Sequence, residues 1–187
     1  MKQTTPGILI LAAGKGSRYI ASGGSGNKLL ASMGDGELTV IETVIEQAKL
    51  SGVPVALVTR PDYLAVRQHA ETAGVQVVLC ESGGSGESIA AGVAATGNWQ
   101  GWIIALGDMP WIGAPDYQQV LSALEQGAAQ VRLSNKGKPG HPVGFNHSFA
   151  EALRNLSGDE GGRSLLHPKL LLTLEANADV GRDIDVV

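Results

Sequence analysis

Short apolar runs alternate with helix-period segments through the first two thirds of this chain, and that alternation restricts the fold more than any other feature. Residues 7–11, 53–59, 75–79 and 102–106 have the length and apolar continuity of strands buried on both faces. Between them a helix is expected from about Glu37, with Ile41, Val44, Ile45 and Ala48 on one face. A second is expected over residues 61–73, and a third from about Glu87, after the loop Ser82-Gly83-Gly84-Ser85-Gly86. Pro115 and Asp116 suit the first turn of a fourth, whose inward face would carry Tyr117, Val120, Leu121 and Leu124. Strand and helix in alternation imply an α/β fold: a mostly parallel central sheet with helices on both faces. Ligands bind such sheets beyond the carboxyl ends of the strands, where the loops after 7–11, 75–80 and 102–106 would converge.

After Ala128 the pattern changes to shorter strands, at about 130–134 and 142–146, around the turn-rich Asn135-Lys136-Gly137-Lys138-Pro139-Gly140. Two short helices and the apolar run 170–174 follow, which reads as a small added β/α lobe. The 187 residues suit one domain, with a core over 1–128 and an acceptor-side lobe and closing strand over 129–187. A formal charge of −4 with scattered basic residues argues against a nucleic-acid surface. Cys80, the only cysteine, ends an apolar run and reads as a buried strand residue. With neither a signal peptide nor a membrane span legible, the expectation is a cytoplasmic protein.

The first strand runs directly into Ala12-Ala13-Gly14-Lys15-Gly16-Ser17-Arg18, with Lys28 further on. A small-residue loop at a strand end lets backbone N–H groups approach phosphates, and the cations complement them. It is not a Walker loop, whose spacing differs. Nor is it the dinucleotide fingerprint, because Tyr19 stands where the third glycine must be and Thr59-Arg60 replaces the ribose-binding acid, which counts against a nucleotide-dependent oxidoreductase. Asp108, in Gly107-Asp108-Met109-Pro110, sits just past a buried strand and is suited either to Mg²⁺ or to capping its own turn. Asp183-Ile184-Asp185 puts two carboxylates on one face of a short strand. His141 lies in Gly140-His141-Pro142, and Asp159 and Arg163 in Gly158-Asp159-Glu160-Gly161-Gly162-Arg163.

These segments, in this order, resemble the molybdenum cofactor cytidylyltransferase branch of the MobA-like nucleotidyltransferases, over essentially the whole chain. That family opens with Leu-Ala-Ala-Gly, Arg and Lys, continues through Gly-Asp-Met-Pro and Gly-His-Pro to Gly-Asp-x-Gly-x-Arg, and closes on Asp-Ile-Asp. This chain departs from the pattern in its long Arg18–Lys28 link and in Glu87, an acid expected near the nucleotide. The resemblance implies a three-layer, Rossmann-like nucleotidyltransferase fold and transfer of a nucleoside monophosphate, CMP from CTP in preference to GTP, to a phosphorylated acceptor. That acceptor would be a molybdopterin-type cofactor, with a molybdoenzyme as recipient of the product and pyrophosphate released.

Residue by residue, the resemblance implies that Ala12, Ala13 and Gly14 line base and ribose, with Gly84 and Ser88 near the base. Gly16, Arg18 and Lys28 would hold the triphosphate, Arg18, Lys28 and Asp108 forming the catalytic set. Asp108 would bind Mg²⁺, with Asp183 or Asp185 as second ligand, and His141, Asp159 and Arg163 would face the acceptor. The competing reading is a noncatalytic nucleotide- or molybdenum-cofactor-binding protein, a chaperone that hands the cofactor on.

Overall fold

The computed structural model describes residues 5–16, 26–34, 37–81, 84–176 and 178–182. Its centre is a seven-stranded sheet in the order β3-β2-β1-β4-β6-β5-β7. The strands are β1 (Gly7–Ala12), β2 (Val55–Thr59), β3 (Gln76–Leu79), β4 (Gly101–Leu106), β5 (Gln130–Asn135), β6 (Lys138–Asn146) and β7 (Leu171–Glu175). All pairings are parallel except those of β6 with β4 and β5. The α-helices are α1 (Val40–Leu50), α2 (Leu64–Thr72), α3 (Ser85–Ala95), α4 (Ala114–Glu125) and α5 (Ala150–Arg154).

Alternation along β1 divides the core into two layers. Ile8, Ile10 and Ala12 face Ile41, Val44, Val66, Val120 and Leu124, so α1, α2 and α4 cover that side. Leu9 faces Ile89, Val93, Trp102, Phe145 and Leu153, placing α3 and α5 on the other. The result is the three-layer, mostly parallel α/β architecture expected from the alternation. α1 starts at Val40, because Thr39 forms a reciprocal capping box with Glu42. The bond from the Thr39 amide, with the Thr39 hydroxyl, holds the Glu42 carboxyl below its ordinary pKa.

Three local expectations are corrected. Cys80 lies one residue past β3 and is half-buried; β3 pairs on one side only, which leaves Gln76 exposed and Leu79 47% exposed. The turn expected over 135–140 shrinks to Lys136 and Gly137, both at positive φ, so β6 already begins at Lys138. On α4 the buried set includes Asp116 and Ala123, with Leu121 only partly covered. The Asp116 carboxylate accepts from the Gly113 amide at 2.8 Å, a cap that draws it inward. The β/α segment after 128 is built as a continuation of the sheet through β5, β6 and β7.

The two core layers treat their polar groups differently. Trp102 Nε1 donates to Thr96 Oγ1 at 2.9 Å, and that hydroxyl donates to the Gly92 carbonyl at 2.7 Å, leaving this group of donors satisfied. Tyr117 is 1% exposed, and its hydroxyl has no hydrogen-bond partner among the described residues. Burial, reinforced by Asp116, pushes its pKa upward. An unpaired buried hydroxyl carries a desolvation cost that a phenyl ring avoids. Tyr117→Phe is therefore expected to stabilise the fold by about 1 kcal/mol and raise Tm by about 2–4 °C. A lowered Tm in a thermal-unfolding scan would show that the hydroxyl is paired.

Candidate nucleotide-binding cleft

Parallel pairing brings the ends of β1 and β4 together. Leu11 is in register with Leu106, and the Gly107 amide donates to the Leu11 carbonyl at 2.9 Å. A Cβ at Gly107 would stand 3.0 Å from that carbonyl and 3.3 Å from the Ala12 Cβ, so a larger residue would press on this close junction. Asp108 is thereby delivered beside the loop that begins at Ala13.

That loop is pinned from the far side. The buried Thr59 hydroxyl donates to the Ala12 carbonyl at 2.9 Å, and the Tyr63 hydroxyl donates to the Gly14 carbonyl at 2.8 Å. Partial burial raises the Tyr63 pKa, so the phenol remains a donor. Ala12 and Ala13 are buried, and Gly16 turns at φ +63°. Tyr63 is a functional candidate that sequence reasoning missed. Its only signal is a place at the start of a helix, which says nothing of which carbonyl it reaches.

Lys28 returns to the same place from a 3₁₀ turn, Lys28–Leu30, whose start is capped by Asn27 and anchored by buried Leu29. Its Nζ donates to Asp108 Oδ2 at 2.7 Å, with the two side chains 13% and 18% exposed. The long link from Arg18 therefore does not keep Lys28 from the cleft. Ala12, Ala13, Gly14, Gly16, Ser88, Lys28 and Asp108 all line one cavity of about 160 Å³. Gly84 does not line it. It caps α3, where a Cβ would stand 2.9 Å from the Gly158 carbonyl and 3.3 Å from Asp159 Oδ1.

The start of α3 is bound to the 157–159 loop. The Gly86 amide donates to the Gly158 carbonyl at 2.8 Å, and the Ser85 hydroxyl to the Asp159 carbonyl at 2.9 Å. Glu87 accepts from the Gly158 amide at 2.9 Å, so its carboxylate serves this junction. Beyond it lies a cavity of about 480 Å³, bordered by His141 and Arg163 and sharing Leu11, Ser85 and Leu106 with the cleft. Burial lowers the His141 pKa, Asp108 opposes the shift and Arg132 adds to it. The imidazole is thus neutral near neutral pH. Arg132, on β5, is a second residue that sequence reasoning missed. Its signal was a lone cation between the apolar Val131 and Leu133, whose alternation puts it on the opposite face of the sheet.

Arg18, Asp183 and Asp185 lie outside the described residues. The described chain ends at Arg182, whose guanidinium stacks 3.7 Å from the ring centroid of Trp111, three residues past Asp108.

A family model described as the MobA-like NTP transferase domain matches residues 8–176. The chain belongs to that family. A comparison with curated proteins found no match. Among solved structures, Rv0371c from Mycobacterium tuberculosis H37Rv has 24% identity and a TM-score of 0.83, over 100% of this chain and 95% of that one. A second structure of Rv0371c, a complex with manganese, has 20% identity and a TM-score of 0.74, over 96% and 94%. The nucleotidyl transferase Mth528 from Methanothermobacter has 21% identity and a TM-score of 0.78, over 94% and 88%. A CMP:2-keto-3-deoxy-manno-octonic acid synthetase complexed with CTP has 14% identity and a TM-score of 0.73, over 98% and 94%. At these identities the solved structures share the fold with this MobA-like domain. Among its described residues, no helix is long and apolar enough to cross a membrane.

In this MobA-like domain the Tyr63 hydrogen bond shapes the loop without lining the cavity. Tyr63→Phe is expected to weaken nucleoside triphosphate binding about 2–10-fold, the worth of one hydrogen bond, with little change in Tm. Calorimetric titration of both proteins checks this; equal affinities would mean that the loop holds its shape without the phenol.

Proposed function

We propose that this MobA-like domain transfers CMP from CTP to the phosphate of a molybdopterin-type cofactor and releases pyrophosphate. The observation that carries this reading is the Lys28–Asp108 pair, held at 2.7 Å in a cleft that continues into a larger cavity edged by His141 and Arg163. Two compartments sharing Leu11, Ser85 and Leu106 suit two substrates meeting at one point. The placement of Lys28 favours catalysis over a noncatalytic binding role, because a cation at the reacting end has most to offer a departing pyrophosphate.

In the proposed step an oxygen of the acceptor phosphate forms a bond to the α-phosphorus of the triphosphate. The bond from that phosphorus to the bridging oxygen breaks, and pyrophosphate leaves with the electron pair. The nucleophile is already ionised, so no general base is required. Two anions must meet, and the protein's work is alignment and neutralisation of charge. Lys28, exchanging Asp108 for phosphate oxygens, and Arg18 would neutralise the leaving group. Ala12, Ala13, Gly14 and Ser88 would hold the nucleoside with Gly84 nearby, Gly16 would lie along the triphosphate, and His141, Asp159 and Arg163 would position the acceptor.

The residues present fit a divalent cation. Asp108 is the carboxylate in the cleft, and among the described residues no three or more His, Cys, Asp or Glu side chains form a cage. That is the donor set of Mg²⁺ held by one or two carboxylates and mainly by substrate phosphates. Asp183 or Asp185, on the family's closing Asp-Ile-Asp, is proposed as the second ligand. When bound, the ion would supply further neutralisation of the phosphate oxygens. The manganese complex of Rv0371c and the CTP complex of the synthetase, both sharing this fold, support the choice of ligands. Cytoplasmic action, with the product passed to a molybdoenzyme, completes the proposal.

Titration with CTP, GTP and ATP, with and without Mg²⁺, and pyrophosphate release with the molybdopterin acceptor test it. Mg²⁺-dependent binding of CTP is expected. Asp108→Ala should lower turnover by at least about 10²–10³-fold, the scale of losing a transition-state contact. His141→Ala should raise the KM for acceptor and leave that for CTP unchanged. Normal turnover in the Asp108 variant would overturn the reading.

A further inference from the structure

The larger cavity is apolar on its floor, where Leu11, Ile104, Leu106, Val143 and Phe145 form the face of the sheet. Arg132 and Arg163 are the arginines that line it. Arg132 is in register with Val143 on one side and Thr173 on the other, and Val143 is in register with Ile104. The Arg132 backbone therefore stands two strand spacings, about 10 Å, from Ile104 of β4, the strand that ends at Leu106, two residues before Asp108. Asp108 lines only the smaller cleft, and Arg132 only the larger cavity and a further hollow of about 440 Å³ beyond it. Arg163 and Leu166 border both of those spaces as well, so the two arginines flank a junction between them.

Arg132 Nε is shielded from solvent and has no hydrogen-bond partner among the described residues. Buried donors in folded proteins are nearly always paired, and an unpaired guanidinium N–H on a residue that lines a cavity can take its acceptor from a ligand there. Its planar fork of donors matches a carboxylate or phosphate through two parallel bonds. Glu160, exposed at the rim, is the one acidic side chain among the described residues that lines the larger cavity.

Building on the nucleotidyltransferase reading of this cleft, we propose that Arg132, assisted by Arg163, recognises a second anionic group on the acceptor, separate from its reacting phosphate. The acceptor class follows from the layout: a phosphate at the cleft, an apolar body across the sheet face, and a second anion at the junction that Arg132 and Arg163 flank. Sugar phosphates, hydrated all round, match such a floor poorly.

The test uses two probes that differ only in a carboxylate, 2-naphthyl phosphate and 6-carboxy-2-naphthyl phosphate, titrated into protein saturated with CTP and Mg²⁺. Wild type is expected to bind the carboxylated probe at least about 10-fold more tightly, as a bidentate charge-assisted pair allows. Arg132→Gln should abolish that preference and Arg132→Lys should keep only part of it. Arg163→Gln, a change at an exposed position outside the core, should reduce the preference even if the Arg132 variants fail to fold. Equal binding of the two probes by wild type, or an undiminished preference in Arg132→Gln, would overturn the proposal. CTP affinity is measured in parallel with each protein. Its absence in wild type would count against the nucleotide site, while the two probes, titrated without CTP, would still decide the role of Arg132.

Discussion

The parallel pairing of β1 with β4 is the constraint on which the rest of the site depends. Both strands are buried on both faces, so neither can slip or twist out without exposing a row of aliphatic side chains. Because β2 lies on one side of β1 and β4 on the other, the chain leaves β1 at a point where the connections diverge, and a crevice opens there. The bond from the Gly107 amide to the Leu11 carbonyl closes the base of that crevice. Asp108 and the Ala13–Gly16 loop face one another across it because their strands end together.

The other wall of the site depends on a junction between distant segments. α3 begins at Ser85, and its first turn is bound to the 157–159 loop through Gly86, Ser85 and Glu87. A Cβ at Gly86 would fall 2.6 Å from the Ser157 carbonyl carbon, so the helix start and the loop meet backbone to backbone. This junction carries Ser88 into the smaller cleft and stands beside the Gly161-Gly162-Arg163 wall of the larger cavity. Both cavities are in this way built on the same contact.

Much of this was legible in the sequence because the pattern was local. Buried parallel strands are read from apolar continuity, α1 from its period, and Asp108 from its place after a strand between a glycine and a proline. Expectations failed where a partner distant in the chain decides the outcome. Glu87 gave no sign in the sequence of the Gly158 amide, 71 residues away, that it accepts from. Cys80 looked buried because its run is apolar, yet β3 occupies an edge. Tyr63 and Arg132 carried little signal, since their significance lies in the Gly14 carbonyl and in the cavity over β6.

The amino-acid sequence by itself determined the α/β alternation, the family and the candidate chemistry at Lys28, Asp108 and His141, because strand continuity, helical period and short motifs are properties of neighbouring residues. Only the tertiary structure decided which of those groups meet. Lys28 and Asp108 are 80 residues apart, and their contact at 2.7 Å depends on the register of β1 with β4 and on the turn anchored by Leu29. The same is true of Arg132, which reaches the cavity because β6 turns back between β4 and β5. Strand order and register are settled by burial summed over the whole sheet, and no local window of residues contains that sum.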